Sequence, residues 1–332
     1  MNKKIKIAMV GCGALARIFY LPVFKKLSLT PEVIVDPDTK AISGLAQTYG
    51  VHKICNSLEE ITDDIDAAII ASPNFLHFPQ AKYLLERGKH VLLEKPMTVS
   101  GQEGISLIES SKNSGSVLQV AMMRRFWKIN KAVKKILQDN VLGTLETISM
   151  QEGAVMNWPV QSAAVFNPQQ SLGGVFIDTG SHTLDLLNWW VGDKNFSLQY
   201  EDDNHGGVEA DCNLAVNFLE SSVKAEIRLS RIRNMPNEFI LKGTKGWVKL
   251  KPFANMFESS SRAIDKYIYN LYPVEELKRQ SFEDLFSEQV KSFVSSIEKG
   301  SKPEIDAESV LPSIRMIEQA YKSRKQMNYA WR

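Results

Sequence analysis

Residues Ile5 to Tyr20, IKIAMVGCGALARIFY, constrain the fold more than any other stretch of the chain. Ile5, Ile7, Ala8, Met9 and Val10 form a short apolar run, the pattern of a strand buried on both faces of a parallel sheet. The run breaks at Gly11-Cys12-Gly13-Ala14-Leu15-Ala16, a G-x-G-x-x-A turn, and Ala14, Leu15, Ile18 and Leu21 then recur at helical spacing. Strand, glycine turn and helix in this order are a dinucleotide fingerprint. Gly11 permits a tight turn, Gly13 lets the backbone approach a pyrophosphate, and Ala16 allows the helix to pack closely on the strand. Free amides at the helix start attract phosphate charge, so Ala14 and Leu15 join this candidate cofactor site.

A chain of 332 residues accommodates two domains. Its 44% hydrophobic content supports a full core and excludes disorder. A net charge of +2 with no dense run of Lys or Arg argues against nucleic acid as the main partner. The opening MNKKIKIAMV is basic and then apolar, but it flows straight into the glycine turn and reads as the first strand, not as a signal peptide. No apolar run approaches the roughly 20 residues of a membrane span. Cys12, Cys55 and Cys212 are odd in number and far apart, which points to a reducing, cytoplasmic setting without a disulfide framework or a zinc site.

Glu32 to Asp36 reads as a second strand ending in an acid. Asp36 stands about twenty residues past the glycine turn, where a carboxylate accepts hydrogen bonds from ribose hydroxyls. It would repel a 2′-phosphate and no Arg follows it, so NAD is favoured over NADP; alternatively, Asp36-Pro37-Asp38 is only a turn with a helix cap. A helix is expected from Ala41 to Tyr49 and a buried strand from Asp66 to Ala71, ending at Ser72-Pro73-Asn74. Loops at the carboxyl ends of such strands build the ligand crevice, so Ser72, Pro73, Asn74 and His77 are candidate cofactor contacts, or simply a solvated loop. Gln80 to Arg87 is the next helix. His90 to Leu93 is a strand leading into Glu94-Lys95-Pro96. Glu94 and Lys95 there are candidate cofactor contacts beside the nicotinamide, where the lysine can polarise a substrate oxygen, or Lys95 is a surface residue paired with Glu94.

Arg124-Arg125-Phe126 opens the passage into a second domain, and residues 154–170 read as a loop or cover segment. Gly173-Gly174 then leads a helix that carries Asp178, His182 and Asp185. Asp178 and His182, four apart, share a helical face, with Asp185 one turn on. Such an acid can orient the imidazole and stabilise its protonated form, or Asp178 caps the helix and His182 is a packed core residue. No second His or Cys stands at metal-ligand spacing. From Phe196 to Leu250 the pattern alternates, as in Leu214, Val216 and Phe218, which predicts antiparallel strands with His205 in a connecting turn. One face of such an open sheet commonly serves as a subunit interface. Phe282 to Glu298 and Ala307 to Arg324 are amphipathic helices.

With both stretches in place, the chain resembles the Gfo/Idh/MocA oxidoreductase family, which includes glucose–fructose oxidoreductase and inositol dehydrogenase. The resemblance rests on the glycine turn, on Ser72-Pro73-Asn74 with His77, on Glu94-Lys95-Pro96, and on Gly173-Gly174 leading to Asp178, His182 and Asp185. It implies an α/β protein with an NAD(P)-binding Rossmann domain, a doubly wound parallel sheet over residues 1–123. Residues 124–332 are then a substrate-binding and oligomerisation domain with a large open, mostly antiparallel sheet. It further implies a homodimer or homotetramer through that sheet, a nicotinamide cofactor, and redox work on a sugar or cyclitol hydroxyl. Lys95 matches the family's active-site lysine, and Asp178 and His182 match its Asp/His pair. Ala16 departs from the third glycine of many members. Arg124, Arg125, Asn157 and Trp158 are candidate substrate contacts by position. A nucleotide-sugar substrate, served by Arg124, Arg125 or Arg231, is an alternative, as is a non-catalytic NAD(P)-binding sensor.

Overall fold

The computed structural model describes residues 5–61, 65–157, 166–204, 207–251 and 256–327. Trp158 and His205 lie outside them. Strands β1 (Ile7–Val10), β2 (Val33–Val35), β3 (Lys53–Cys55), β4 (Ala67–Ile70), β5 (His90–Leu93) and β6 (Leu118–Val120) form a parallel sheet in the order β3-β2-β1-β4-β5-β6. Every residue of β1, β2 and β4 is buried, which is why these strands read as unbroken apolar runs. Helices α1 (Leu21–Lys26), α2 (Thr39–Tyr49), α3 (Asn74–Leu85) and α4 (Gly101–Ser114) connect them. The strand order reverses between β1 and β4, and at such a point the loops leaving the strand ends part to form a crevice.

Two local features differ from the expected pattern. The first helix widens into a π-helical turn over Ala16–Tyr20 before α1. Pro22 follows and has no N–H to give the carbonyl four residues back, so the regular ladder is interrupted there. Helix α3 starts at Asn74 and not after Pro79, so Asn74 and His77 lie on its opening turns and not in a loop. Burial of His77, Ala81, Leu84 and Leu85 outweighs the proline inside the helix.

The second sheet runs β13-β12-β11-β7-β10-β9-β8-β14. Its strands are β7 (Leu145–Gly153), β8 (Phe196–Asp202), β9 (Asp211–Phe218), β10 (Lys224–Ser230), β11 (Glu238–Gly243), β12 (Gly246–Lys251), β13 (Met256–Ser259) and β14 (Lys325–Gln326). Neighbours are antiparallel except β7 with β10 and β8 with β14, so the sheet is mixed. Along β10, Ala225, Ile227 and Leu229 point to the core while Lys224, Glu226 and Arg228 stay exposed. Helices α5 (Lys128–Gln138), α6 (Pro168–Ser171) and α7 (Val175–Val191) precede most of these strands, and α7 packs on β9 and β10. Among the described residues no helix is long and apolar enough to cross a membrane.

Beyond β13 come α8 (Arg262–Leu271), α9 (Val274–Arg279), α10 (Phe282–Lys299) and α11 (Ala307–Lys322). The last two belong to the second half by sequence yet fold back onto the first sheet. The Val120 N–H donates to the Ile305 carbonyl (3.1 Å), and Gln119 Nε2 donates to the Gln289 carbonyl (2.9 Å). Gln289 Nε2 donates to the Tyr20 hydroxyl (2.9 Å), which in turn donates to the buried Glu94 Oε1 (2.6 Å). This chain of bonds fixes the end of β5 from behind. Tyr20→Phe leaves Glu94 Oε1 without that donor and is expected to cost about 1–3 kcal/mol. Urea unfolding measures the loss; an unchanged midpoint would show that the bond carries no stability.

Candidate active site

The glycine turn lies at the crevice. Gly11 has φ +81°, and a Cβ there would fall 2.6 Å from the backbone nitrogen of Ser72, so the first turn position admits only glycine. Around Gly13 nothing lies within 4 Å of a Cβ position, which leaves its backbone open to a close ligand. Asp36 closes one side: its carboxylate accepts from the Cys12 N–H (2.9 Å) and the Asp38 N–H (3.0 Å). The cap of α2 is Asp38, which accepts from the Ala41 N–H, so Asp36 is not the capping residue. Open glycine backbone beside a carboxylate at the end of β2 fits the pyrophosphate and ribose of a dinucleotide. Arg17, not anticipated here, donates to the carbonyls of Cys12 (2.8 Å) and Ala41 (3.3 Å) and ties the turn to α2.

Ser72, Pro73, Asn74 and His77 flank the turn, but the side chains of three of them are occupied by the protein. Asn74 Nδ2 donates to the Ser171 carbonyl (2.7 Å). The His77 ring is buried, with Nδ1 2.7 Å from the Pro96 carbonyl and Nε2 2.9 Å from the Ser72 carbonyl. Burial pushes its pKa down against the pull of those two carbonyls. His77 therefore braces the loops after β4 and β5 and has no ring nitrogen left for a ligand. Ser72 Oγ likewise donates to Gln80 (2.6 Å).

At the end of β5, Glu94 faces inward and Lys95 faces the crevice. Glu94 takes the Tyr20 hydroxyl and the Lys95 N–H (3.0 Å), while burial pushes its carboxyl up. Lys95 Nζ pairs with Asp178 Oδ1 at 2.6 Å and donates to the Asp178 carbonyl at 3.1 Å. The partner of Lys95 is thus Asp178, 83 residues away, and not its neighbour Glu94.

Helix α7 is aimed by a residue that local spacing does not reveal. Glu209 is 1% exposed, and its Oε1 accepts from the Gly174 N–H (2.7 Å), the Phe176 N–H (3.0 Å) and the Tyr321 hydroxyl (2.9 Å). A carboxylate at a helix start satisfies its unpaired amides and its positive dipole end. The approach is so tight that a Cβ on Gly174 would lie 1.8 Å from the Glu209 carbonyl oxygen. With Glu209 capping the helix, Asp178 is left to meet Lys95. Crowding by the surrounding protein opposes its ionisation although the side chain is 57% exposed, and the charges of Lys95, Arg231 and Arg124 overcome that and hold its carboxyl below the usual range.

This corrects the expected Asp178–His182 pair: the two share a helical face, yet no hydrogen bond joins them, because Asp178 is drawn to Lys95. The His182 ring is half-buried, with Nδ1 sealed from solvent and without a hydrogen-bond partner among the described residues. Burial, then the positive charges of Arg124 and Lys95, push its pKa well below the usual histidine value. His182 is consequently neutral near pH 7, opposite to the stabilised imidazolium expected from the spacing.

The candidate substrate residues separate sharply. Arg125 is a structural residue: it grips Asp185 with two bonds (2.8 and 2.6 Å) and donates to the Ser309 hydroxyl and carbonyl (both 2.9 Å). Asp185, on the same face as His182, is thereby accounted for. Arg124, also buried, pairs with Glu152 (2.8 Å), which accepts from Thr183 as well, so Arg124 acts on the site through its charge. Asn157 is exposed on the segment that continues β7, next to Met156, whose N–H donates to the Arg231 carbonyl (2.8 Å). Among the described residues no group of three or more His, Cys, Asp or Glu is arranged to hold a metal ion.

Residues 5–122 match the oxidoreductase family with an NAD-binding Rossmann fold, and residues 134–330 match the C-terminal alpha/beta domain of the same family. An oxidoreductase of Formosa agariphila is 28% identical over 200 residues, covering 58% of this chain and 62% of that protein. The scyllo-inositol 2-dehydrogenase (NADP(+)) of Bacillus subtilis is 27% identical over 184 residues, 54% of this chain and 50% of that protein. The chain thus spans little more than half the length of these relatives in the matched regions. In fold, it is similar to the WlbA dehydrogenase of Chromobacterium violaceum, solved with NADH and UDP-GlcNAcA, at a TM-score of 0.84 and 21% identity over 97% of this chain and 94% of that one. With both domains matched in order, the chain belongs to the Gfo/Idh/MocA oxidoreductase family.

Proposed function

We propose that this protein is an NAD-preferring dehydrogenase that interconverts a secondary hydroxyl and a ketone on a sugar or cyclitol ring. The observation that carries the reading is the ion pair of the half-buried Lys95 with Asp178 (2.6 Å), one helical turn from His182 on α7, in a fold whose glycine turn is open at Gly13. A bound nicotinamide supplies the hydride acceptor and donor. The chain's own residues do the rest. Neutral His182 takes the hydroxyl proton at Nε2, because Nδ1 is sealed in the protein. Lys95 donates to the same oxygen and stabilises the negative charge that develops there, an interaction worth more in a site shielded from water. Asp178 steers the Lys95 ammonium and accepts from a neighbouring hydroxyl. In the reverse direction His182 returns the proton to the carbonyl oxygen. UDP-GlcNAcA in the WlbA structure supports a nucleotide-linked sugar as the second substrate reading.

His182→Ala is expected to lower kcat by about 10²–10⁴ with cofactor affinity retained. A base must be unprotonated to act, and a depressed histidine pKa means that protonation begins further into acid. The acidic limb of the kcat profile for alcohol oxidation is therefore expected below the ordinary histidine value of about 6.5. Full activity of the alanine variant, or a limb above that value, would remove His182 from the role.

Asp36 supports NAD over NADP. Asp36→Ser combined with Pro37→Arg is expected to shift the kcat/KM ratio toward NADP, as read from initial rates with both cofactors. Equal use of the two by the parent protein would show that Asp36 does not meet the ribose.

The outer face of the second sheet, with Lys224, Glu226 and Arg228 on β10, supports pairing of two copies through mixed charges. Light scattering is expected to give a dimer or tetramer mass that falls in high salt or on Glu226→Arg. A monomer mass for the parent at micromolar concentration would discard this interface.

A further inference from the structure

Among the described residues, Arg231 is a largely buried cation that lacks a hydrogen-bonded anionic partner. Arg124 is closed by Glu152, Arg233 by Asp211 (2.9 Å), and Lys95 by Asp178. Arg231, at the end of β10, is held by its backbone on both sides: its N–H donates to the Ala210 carbonyl (2.8 Å) and its carbonyl accepts from Met156. Its side chain is only 11% exposed. Yet Nη1 is buried with no hydrogen-bond partner among the described residues, and Nη2 stands 3.7 Å from Asp178 Oδ2, beyond a hydrogen bond. Among the described residues, the carboxylates paired with or nearest to Lys95, Arg124 and Arg231 are Asp178 and Glu152, two for three cations. Burying a guanidinium with donors unused is costly, and such a group persists where a ligand completes it.

We propose that Arg231 is the receptor for a carboxylate carried on the substrate's own ring, so that the protein acts on sugar acids in preference to neutral sugars. The inference rests on the dehydrogenase reading above and adds the substrate class. A guanidinium offers a planar fork that matches a carboxylate through two parallel bonds. Its distance from the reacting centre selects the ring as the carrier. Arg231 contacts the same Asp178 that pairs with Lys95, within the span of one sugar ring, whereas the diphosphate of a sugar nucleotide would sit beyond the ring. Asp178 between the two cations keeps the acid from locking onto Lys95 and leaves Lys95 for the hydroxyl.

Two measurements on the full chain with NADH test this. Calorimetric binding compares glucuronate and galacturonate with glucose and galactose, with glucose 6-phosphate as the phosphate arm. Initial rates with NAD compare the same compounds. At least one acid is expected to bind about 10- to 100-fold tighter than its neutral counterpart, the worth of a charge-assisted hydrogen bond. Arg231→Gln is expected to erase that ratio. Arg231→Lys, which keeps the charge and is the milder change for folding, should retain only part of it. Equal binding of acids and neutral sugars, no binding of any acid, or preference for glucose 6-phosphate overturns the proposal. Turnover of neutral sugars with no acid preference refutes only this proposal. Arg231-dependent acid binding without any turnover refutes the dehydrogenase reading and leaves this one standing.

Discussion

The ion pair between Lys95 and Asp178 is the contact on which the site depends. It joins the end of β5 in the parallel sheet to the first turn of α7 over the mixed sheet, and so brings the two halves of the chain to one point. Each partner is held from behind by buried groups. Tyr20, Glu94 and Gln289 fix the β5 end, and Glu209 with Tyr321 fixes the start of α7. A flexible lysine on an unfixed loop would lose rotamer entropy to make the same bond, which is why exposed pairs contribute little. Here the backbone on both sides is already ordered by other interactions.

Electrostatics around that pair follow from which charges are closed and which are open. Arg125 with Asp185, and Arg124 with Glu152, are buried and ion-paired, so removing one partner of either would strand a charge. Arg124 nevertheless acts on its surroundings: burial first, then its positive field, push the His182 pKa well below the usual histidine value. On the proposed dehydrogenase reading, a neutral imidazole accepts one proton while the Lys95 ammonium stabilises the oxygen left behind.

Much of this was legible from local pattern. The glycine turn, the apolar runs of β1 and β4, the helix carrying Asp178 and His182, and the alternation through β9 and β10 all appear where the sequence directs them. Periodicity reads burial well, since a strand or helix repeats its exposure every two or about 3.6 residues. It misjudged the start of α3, where burial of His77 and Ala81 outweighs Pro79, and it carried no sign of β14. It also could not show that α10 and α11 return to the first sheet, because an amphipathic face does not name its partner.

By itself, then, the sequence determined the two-domain order, the dinucleotide turn and which residues line up on each element, because these depend on neighbours within a few positions. Only the tertiary structure decided who pairs with whom. Lys95 meets Asp178 across 83 residues and not Glu94 beside it, Glu209 caps a helix 35 residues earlier, and Arg125 closes on Asp185 60 residues away. The sequence offered Arg124 and Arg125 as substrate contacts by position and Arg231 beside them only for a nucleotide sugar; folding paired the first two and left Arg231 with an open donor. Which charge stays unmet is a property of burial and distance, and neither exists until the chain is folded.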